Sequence, residues 1–277
     1  MEDNPNPNNV GPSSFTVSVP GIVHPFATSN PRFKTGRLPR KPRFGMASLG
    51  NHLSLSQLPV PPTAGGWGYK IPDDQWLVLG NDDYGDCVIA TIMHLIMEWT
   101  AGTGNPLTAT TDLAVKTYLA WTGGQDTGLA WTDALLLWQN QGVPMLDSKG
   151  NQTIHKILGS AALDISSLEQ LNAATYLFQG TALGINCPAS AVSNLTNWVY
   201  VPGSPNEGGH AIPRMRYGRA GGHIVSWGLS IPHTNDFMTV NLEEGYVVVS
   251  EDMLNLNTGK SPIGLDVNGL LNTMKLY

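Results

Sequence analysis

The 277-residue sequence predicts an α+β fold, on three observations. Helical periodicity fills the stretch from Cys87 to about residue 178. After about residue 180, short apolar runs alternate with Gly and Pro turns, the pattern of antiparallel strands. The first 66 residues, rich in Pro, Asn, Ser and Gly, carry too little apolar surface to fold alone. Helices first and strands second is the order of a two-lobed α+β domain. The expected organisation is therefore an extended basic arm over 1–66 and one domain over 67–277. Within that domain a helical lobe spans about 67–165 and a β-rich lobe about 166–277.

The arm begins "MEDNPNPNNVGPSS", with neither the basic nor the apolar region of a Sec-type signal. Between Arg32 and Arg43, "RFKTGRLPRKPR" holds six of the chain's 15 basic residues and no acidic one, leaving the remainder at 9 − 21 = −12. Such an arm suits an acidic partner protein, a nucleic acid, or the body's own acidic face. Six charges interrupted by prolines match no nucleic-acid module, so nucleic acid is the less favoured partner. Only "MASLGNHLSLSQL" (Met46 to Leu58) hints at a short element, and "LPVPPTAGGWG" closes the arm with linker chemistry. Termini of this kind are ordered only when something holds them, which makes anchoring in an assembly such as a virus particle one expected role.

The first helix starts at Cys87, and its run from Val88 to Trp99 is apolar almost all round, as in a buried helix. Its polar exceptions Thr91, His94 and Glu98 share one stripe with Cys87. Asp86 stands at the N-cap position. Further helices are expected at Thr111 to Trp121, at Trp131 to Gly142 with Asp133 in the first turn, and through Ser166 to Phe178. "GTALGINC", "HAIPRMRYG", "HIVSWGLS", "FMTVNLE" and "GYVVVSED" read as strands.

Two cysteines make no disulfide framework and fit a reducing compartment. No Cys/His spacing matches a zinc module, so neither a structural metal nor a cofactor is expected. No apolar run is long enough to span a membrane. A cytoplasmic or virion protein is the expectation.

Cys87 is either a buried filler or a nucleophile at the positive end of a helix dipole. Two features favour the nucleophile. Asn81 lies six residues upstream across the turn "DDYG", where its amide can join the Cys87 N–H as donor to an oxyanion. In "GGHAIPRMRYG", His210 follows two glycines and opens a strand, a setting from which imidazole can take the thiol proton.

These residues resemble the papain-like cysteine peptidases. Asn81 to Cys87 is similar to that family's nucleophile region, "GHAI....YG" (Gly209 to Gly218) to its histidine strand, "SWG" (Ser226 to Gly228) to its next strand and "EGYVVV" (Glu244 to Val249) to a later one. The helix ending "WQNQG" (Trp138 to Gly142) has a counterpart in its first lobe. The arm and general style are similar to papain-like proteins of bacteriophages and bacteria. The resemblance implies two lobes with the site between them, Cys87 as nucleophile, His210 as general base and acid, Asn81 as oxyanion donor, and a peptide or protein substrate.

The sequence departs from the family at three places. Asn81 replaces a Gln, Val88 a Trp, and Val225 falls where the family has the Asn that orients the histidine. Strand alternation would turn Ser226 away from the face that carries Trp227. The expectation is a peptidase or related amide hydrolase working with a Cys–His dyad. The alternative is a non-catalytic papain-fold component of a virion or other assembly, anchored by the arm. His94 with Glu98 has a spacing that metal ligands use, but reads better as a satisfied interior pair. Cys187 reads as a structural thiol, and His223 is the rival to His210.

Overall fold

A computed structural model describes residues 33–41, 47–49 and 60–275. It consists of a helical part packed on an antiparallel sheet. Helix α1 (Cys87–Thr103) is buried at every position from Cys87 to Thr100 and ends on Gly104, whose φ of 90° closes it in the left-handed region. Helix α2 (Thr111–Trp121) is capped by the Thr110 hydroxyl, which accepts from Leu113 N. Helix α3 (Trp131–Asn140) lies against α1 through the Trp99 and Trp138 rings, stacked 5.9 Å apart. Because Ile92 at the centre of α1 is fully buried, its truncation to Ala would cost about 2–5 kcal/mol.

Strand β1 (Ala47–Ser48) lies within the segment expected to hold a short element, the rest of which, apart from Leu49, falls outside the described residues. Strand β2 (Gly65–Gly66) follows, then the hairpin β3 (Val143–Leu146) and β4 (Gln152–His155), β5 (Gly159–Ala162), helix α4 (Leu168–Leu177) and β6 (Thr181–Pro188). A short helix α5 (Ala189–Ser193) precedes β7 (Asn206–Tyr217), β8 (Gly221–Ser226) and β9 (Leu229–Thr234). Helix α6 (Asn235–Asn241), β10 (Leu242–Val249) and helix α7 (Val267–Lys275) complete the chain. The main sheet runs β1-β5-β10-β6-β7-β8-β9, with β2 added to β7. It therefore draws β5, and two strands of the arm, from before residue 166.

Two strand expectations are corrected. "FMTVNLE" is mostly helix α6, because the Thr234 hydroxyl accepts from Phe237 N at 3.2 Å and Asp236 occupies the first turn. "HIVSWGLS" is not one strand but a hairpin. Trp227 (φ 49°) and Gly228 (φ 78°) form a two-residue turn between the paired Ser226 and Leu229. Positive φ at both central residues matches the right-handed twist of the flanking strands.

The arm's described parts lie on the body. Besides β1 and β2, residues 33–38 cross the molecule between the head of α1 and the start of β7. Of the basic cluster, Arg37 is buried against Glu243 and Glu244, and Lys41 meets Asp133 at the surface, 2.6 Å away. These contacts lie across the body's own acidic face.

Candidate active site

Helix α1 begins at Cys87, and β7 carries His210 one residue before the amide that reaches the Cys87 sulfur. The Ala211 amide donates to the Cys87 sulfur at 3.3 Å, which fixes the thiol against the strand one residue past the imidazole. His210 pairs across the sheet with Ile185 of β6, so its position is set by ladder register. Its Nε2 lies 2.7 Å from Ser226 Oγ, and its ring stacks on Trp227 at 4.5 Å between centroids. Nδ1 of His210 is buried and makes no hydrogen bond among the described residues.

The expectation for Ser226 is thereby corrected. Alternation applies only within a strand, and β8 ends at Ser226. Because Trp227 already belongs to the turn, its ring folds back onto His210 while the preceding hydroxyl reaches the ring edge. Ser226 thus occupies the orienting place for which Val225 has no suitable side chain. The turn signal was the "WG" dipeptide itself.

Asn81 is engaged within the turn that leads to Cys87. Its Nδ2 donates to Tyr84 O at 3.1 Å, and its amide also holds down the pKa of the Asp86 carboxyl. Being a methylene shorter than Gln, the side chain bonds within its own turn. The N-cap expectation for Asp86 is also corrected. Its ψ of 17° lies outside the extended region of a capping residue, and its side chain makes no cap hydrogen bond. Asp86 is instead fully buried, and its pKa is pushed well up, by burial first and by the nearby Asp126 charge second. Asp126 in turn accepts from Gly85 N at 2.9 Å and from Tyr118 Oη at 2.6 Å, pinning the turn that leads to the thiol.

The space above Cys87 and His210 is filled by the chain itself. Lys34 N donates to Asn81 O, and Gly36 N and Arg37 N both donate to Gly209 O. On the other side Leu129 N donates to Gly36 O, and Leu38 N to Leu129 O. Trp227 Nε1 donates to Lys34 O at 3.1 Å, and Phe33 packs on the Trp227 ring. A Cβ on Gly36 would come 2.0 Å from Gly85 O, so only glycine passes there. Both Cys87 and His210 are 1% exposed.

Closure sets their ionisation. Burial pushes the Cys87 thiol up to about 12, against opposing help from the Ala211 amide. Burial and then the Arg37 charge push His210 down to about 3. Both groups are neutral in this closed form, without an ion pair.

The rival residues have other surroundings. His223 lines a separate cavity of about 510 Å³ with Tyr69, Arg216 and His233. Cys187 is fully buried in β6, and burial raises its pKa. His94 Nε2 bonds Leu77 O at 2.8 Å, while Glu98, its pKa raised by burial, is bonded by the Gly68 backbone and leaves Oε2 without a partner among the described residues. The two do not form a mutually satisfied pair. Among the described residues no group of three His, Cys, Asp or Glu is placed to hold a metal ion, and no helix is long and apolar enough to cross a membrane.

This fold is that of the papain-like cysteine proteases. Xylellain, a cysteine protease from Xylella fastidiosa, superposes with a TM-score of 0.59 at 13% identity, covering 79% of this chain and 96% of its own. The proCathepsin B S9 of Trypanosoma congolense gives 0.57 at 12% identity, over 80% and 87%. The Carica candamarcensis cysteine protease CMS1MS2, in complex with E-64, gives 0.51 at 15%, over 68% and 98%. No family model and no curated protein matches the sequence.

Proposed function

We propose that the chain is a cysteine peptidase or related amide hydrolase, held closed by its own residues 33–38. The observation that supports this reading is the Ala211 amide on the Cys87 sulfur, one residue after His210, with the imidazole held by Ser226 and Trp227. The clamp leaves Nδ1 as the ring nitrogen free to exchange a proton. On this reading Nδ1 takes the Cys87 proton and the sulfur attacks a peptide carbonyl. The proton passes to the leaving amine as the C–N bond breaks. Water then attacks the thioester, its proton taken by Nδ1, and the acid leaves as the thiol re-forms. The Cys87 N–H at the head of α1 is the donor assigned to the oxyanion, while Asn81 holds the turn. Removing residues 33–38 from the cleft rehydrates both groups and lifts the desolvation that keeps them neutral.

The test is peptide hydrolysis by the full chain carrying Arg37→Glu, which sets a carboxylate against Glu243 and Glu244. Hydrolysis that vanishes on adding Cys87→Ser supports the reading. Hydrolysis unaffected by Cys87→Ser excludes it.

The closed cleft also favours a second reading, a non-catalytic papain-fold component held in an assembly by its arm. Cys87 that stays unreactive in every arm-released variant, together with loss of oligomers or particles on deleting residues 1–32, is what that reading expects.

A further inference from the structure

Arg37 of the cleft-filling segment is buried in the body, where its two terminal nitrogens find acceptors while Nε has none among the described residues. Nη1 donates to Glu244 Oε1 at 2.7 Å and to Leu38 O at 3.3 Å. Nη2 donates to Glu243 Oε2 and to Ile185 O, the latter at 3.3 Å. Consecutive strand residues normally face opposite ways. Here the β10–β6 register shifts between Leu242 and Glu244, and the bulge brings both carboxylates to one cation. Glu244 is itself fixed, its Oε2 accepting from Tyr246 Oη at 2.6 Å, and it is 1% exposed.

Two glycines make the room. A Cβ on Gly184 would lie 2.5 Å from Arg37 Cδ, and one on Gly209 would lie 2.2 Å from Arg37 O. The backbone of the segment is held by main-chain bonds to Gly209 and Leu129, with glycine required at the position before Arg37. Selectivity for the residue that follows that glycine resides in the side-chain pocket. When residues 33–38 leave, Glu244 and the Ile185 carbonyl lose the cation that satisfies them. A planar fork with several donors satisfies two carboxylates and a carbonyl together, whereas an ammonium is a point charge.

From this we infer that the cleft binds peptides bearing an arginine side chain in the place now held by Arg37, with Glu243 and Glu244 as its specificity residues. The inference rests on the peptidase reading for its consequence, which is that the substrates are arginine-containing peptides. The pocket itself is tested by binding.

The experiment uses the full chain with Arg37→Ala, and in parallel Arg37→Gln, which keeps much of the side-chain volume should the first variant fold poorly. Calorimetry measures binding of capped peptides identical except for one Arg, Lys, Leu or Glu. Binding of the Arg peptide about 10- to 100-fold tighter than the Leu and Glu peptides is expected, the size of a charge-assisted hydrogen-bond set. The Lys peptide should fall between, and Glu244→Gln should remove the preference. If both variants unfold, hydrogen exchange of residues 33–41 in the wild-type chain is the second readout, and the Arg peptide should accelerate it selectively. Equal binding of all four peptides, or a preference that survives Glu244→Gln, overturns the inference. So does wild-type exchange that responds to no peptide or to all equally. Selective binding without hydrolysis keeps the pocket and removes the peptidase, while hydrolysis without arginine preference does the reverse.

Discussion

Ser226 Oγ stands 2.7 Å from Nε2 of His210, on a strand that ends at that serine and turns at Trp227. The hydroxyl engages one ring nitrogen, and on the proposed mechanism the other serves the thiol. Ser226→Ala should therefore lower kcat/KM in the Arg37→Glu chain by about 10- to 100-fold, the loss of one bond to a group that becomes charged. The pH profile should shift with it, and Ser226→Thr should restore part of the activity. An unchanged profile would show that Trp227 alone orients the ring.

The arm is bolted by a buried charge. Arg37→Glu leaves three carboxylates together, and breaking such a pair costs about 3–5 kcal/mol. Hydrogen exchange should rise across residues 33–41 while α1 stays protected. Gly36→Val, whose Cβ meets Gly85 O at 2.0 Å, should release the same segment by steric means. Retained protection in both variants contradicts the closure described above.

Acid should destabilise the fold through three buried neutral histidines. Burial lowers His94 to about 4, and His210 and His233 to about 3, from an ordinary value of 6.5. Between those values and 6.5 the unfolded chain binds the proton and the folded chain does not, so stability is lost as pH falls from 6.5. Each group contributes a slope of up to about 1.4 kcal/mol per pH unit. The buried carboxyls of Asp86 and Glu98, whose pKa values are raised, act in the opposite sense, so the test is the difference between wild type and His94→Gln. The denaturant midpoint of wild type relative to His94→Gln should fall progressively from pH 7 to 6 to 5, and a difference that holds steady to pH 5 would contradict the burial of His94.

Asn81 separates a structural from a catalytic role. Since its amide serves Tyr84 O, Asn81→Ala should lower thermal stability by about 1–3 kcal/mol. Activity should change in step with the folded fraction. A loss of 100-fold or more in kcat at unchanged stability would restore it as the oxyanion donor.

Sequence reasoning went furthest where one segment carries both pattern and chemistry. The apolar run after Cys87 predicts α1, and "GGHAI" predicts a histidine strand, because periodicity and turn residues are local signals. Ser226 escaped because its role depends on where the hairpin turns, one residue from where alternation would place it. Arg37 reads as one of six scattered arm charges until the bulge in β10 brings Glu243 and Glu244 round to meet it, a pairing across 206 and 207 residues. The sequence of helix α6 reads as a strand because a seven-residue apolar–polar mix fits either period, and only the Thr234 cap decides.

The central claim is that Cys87 and His210 form a reactive pair silenced by residues 33–38. Its most direct test is the pH dependence of iodoacetamide alkylation at Cys87, in the full wild-type chain and in Arg37→Glu, with Cys187 as the buried control. Wild-type Cys87 should be inert near neutral pH. In Arg37→Glu it should react as a thiolate well below the free-thiol value of about 8.5, and lose that advantage with His210→Ala. An exchange-exposed arm with Cys87 still inert, or titrating as an ordinary thiol with or without His210, would contradict the claim.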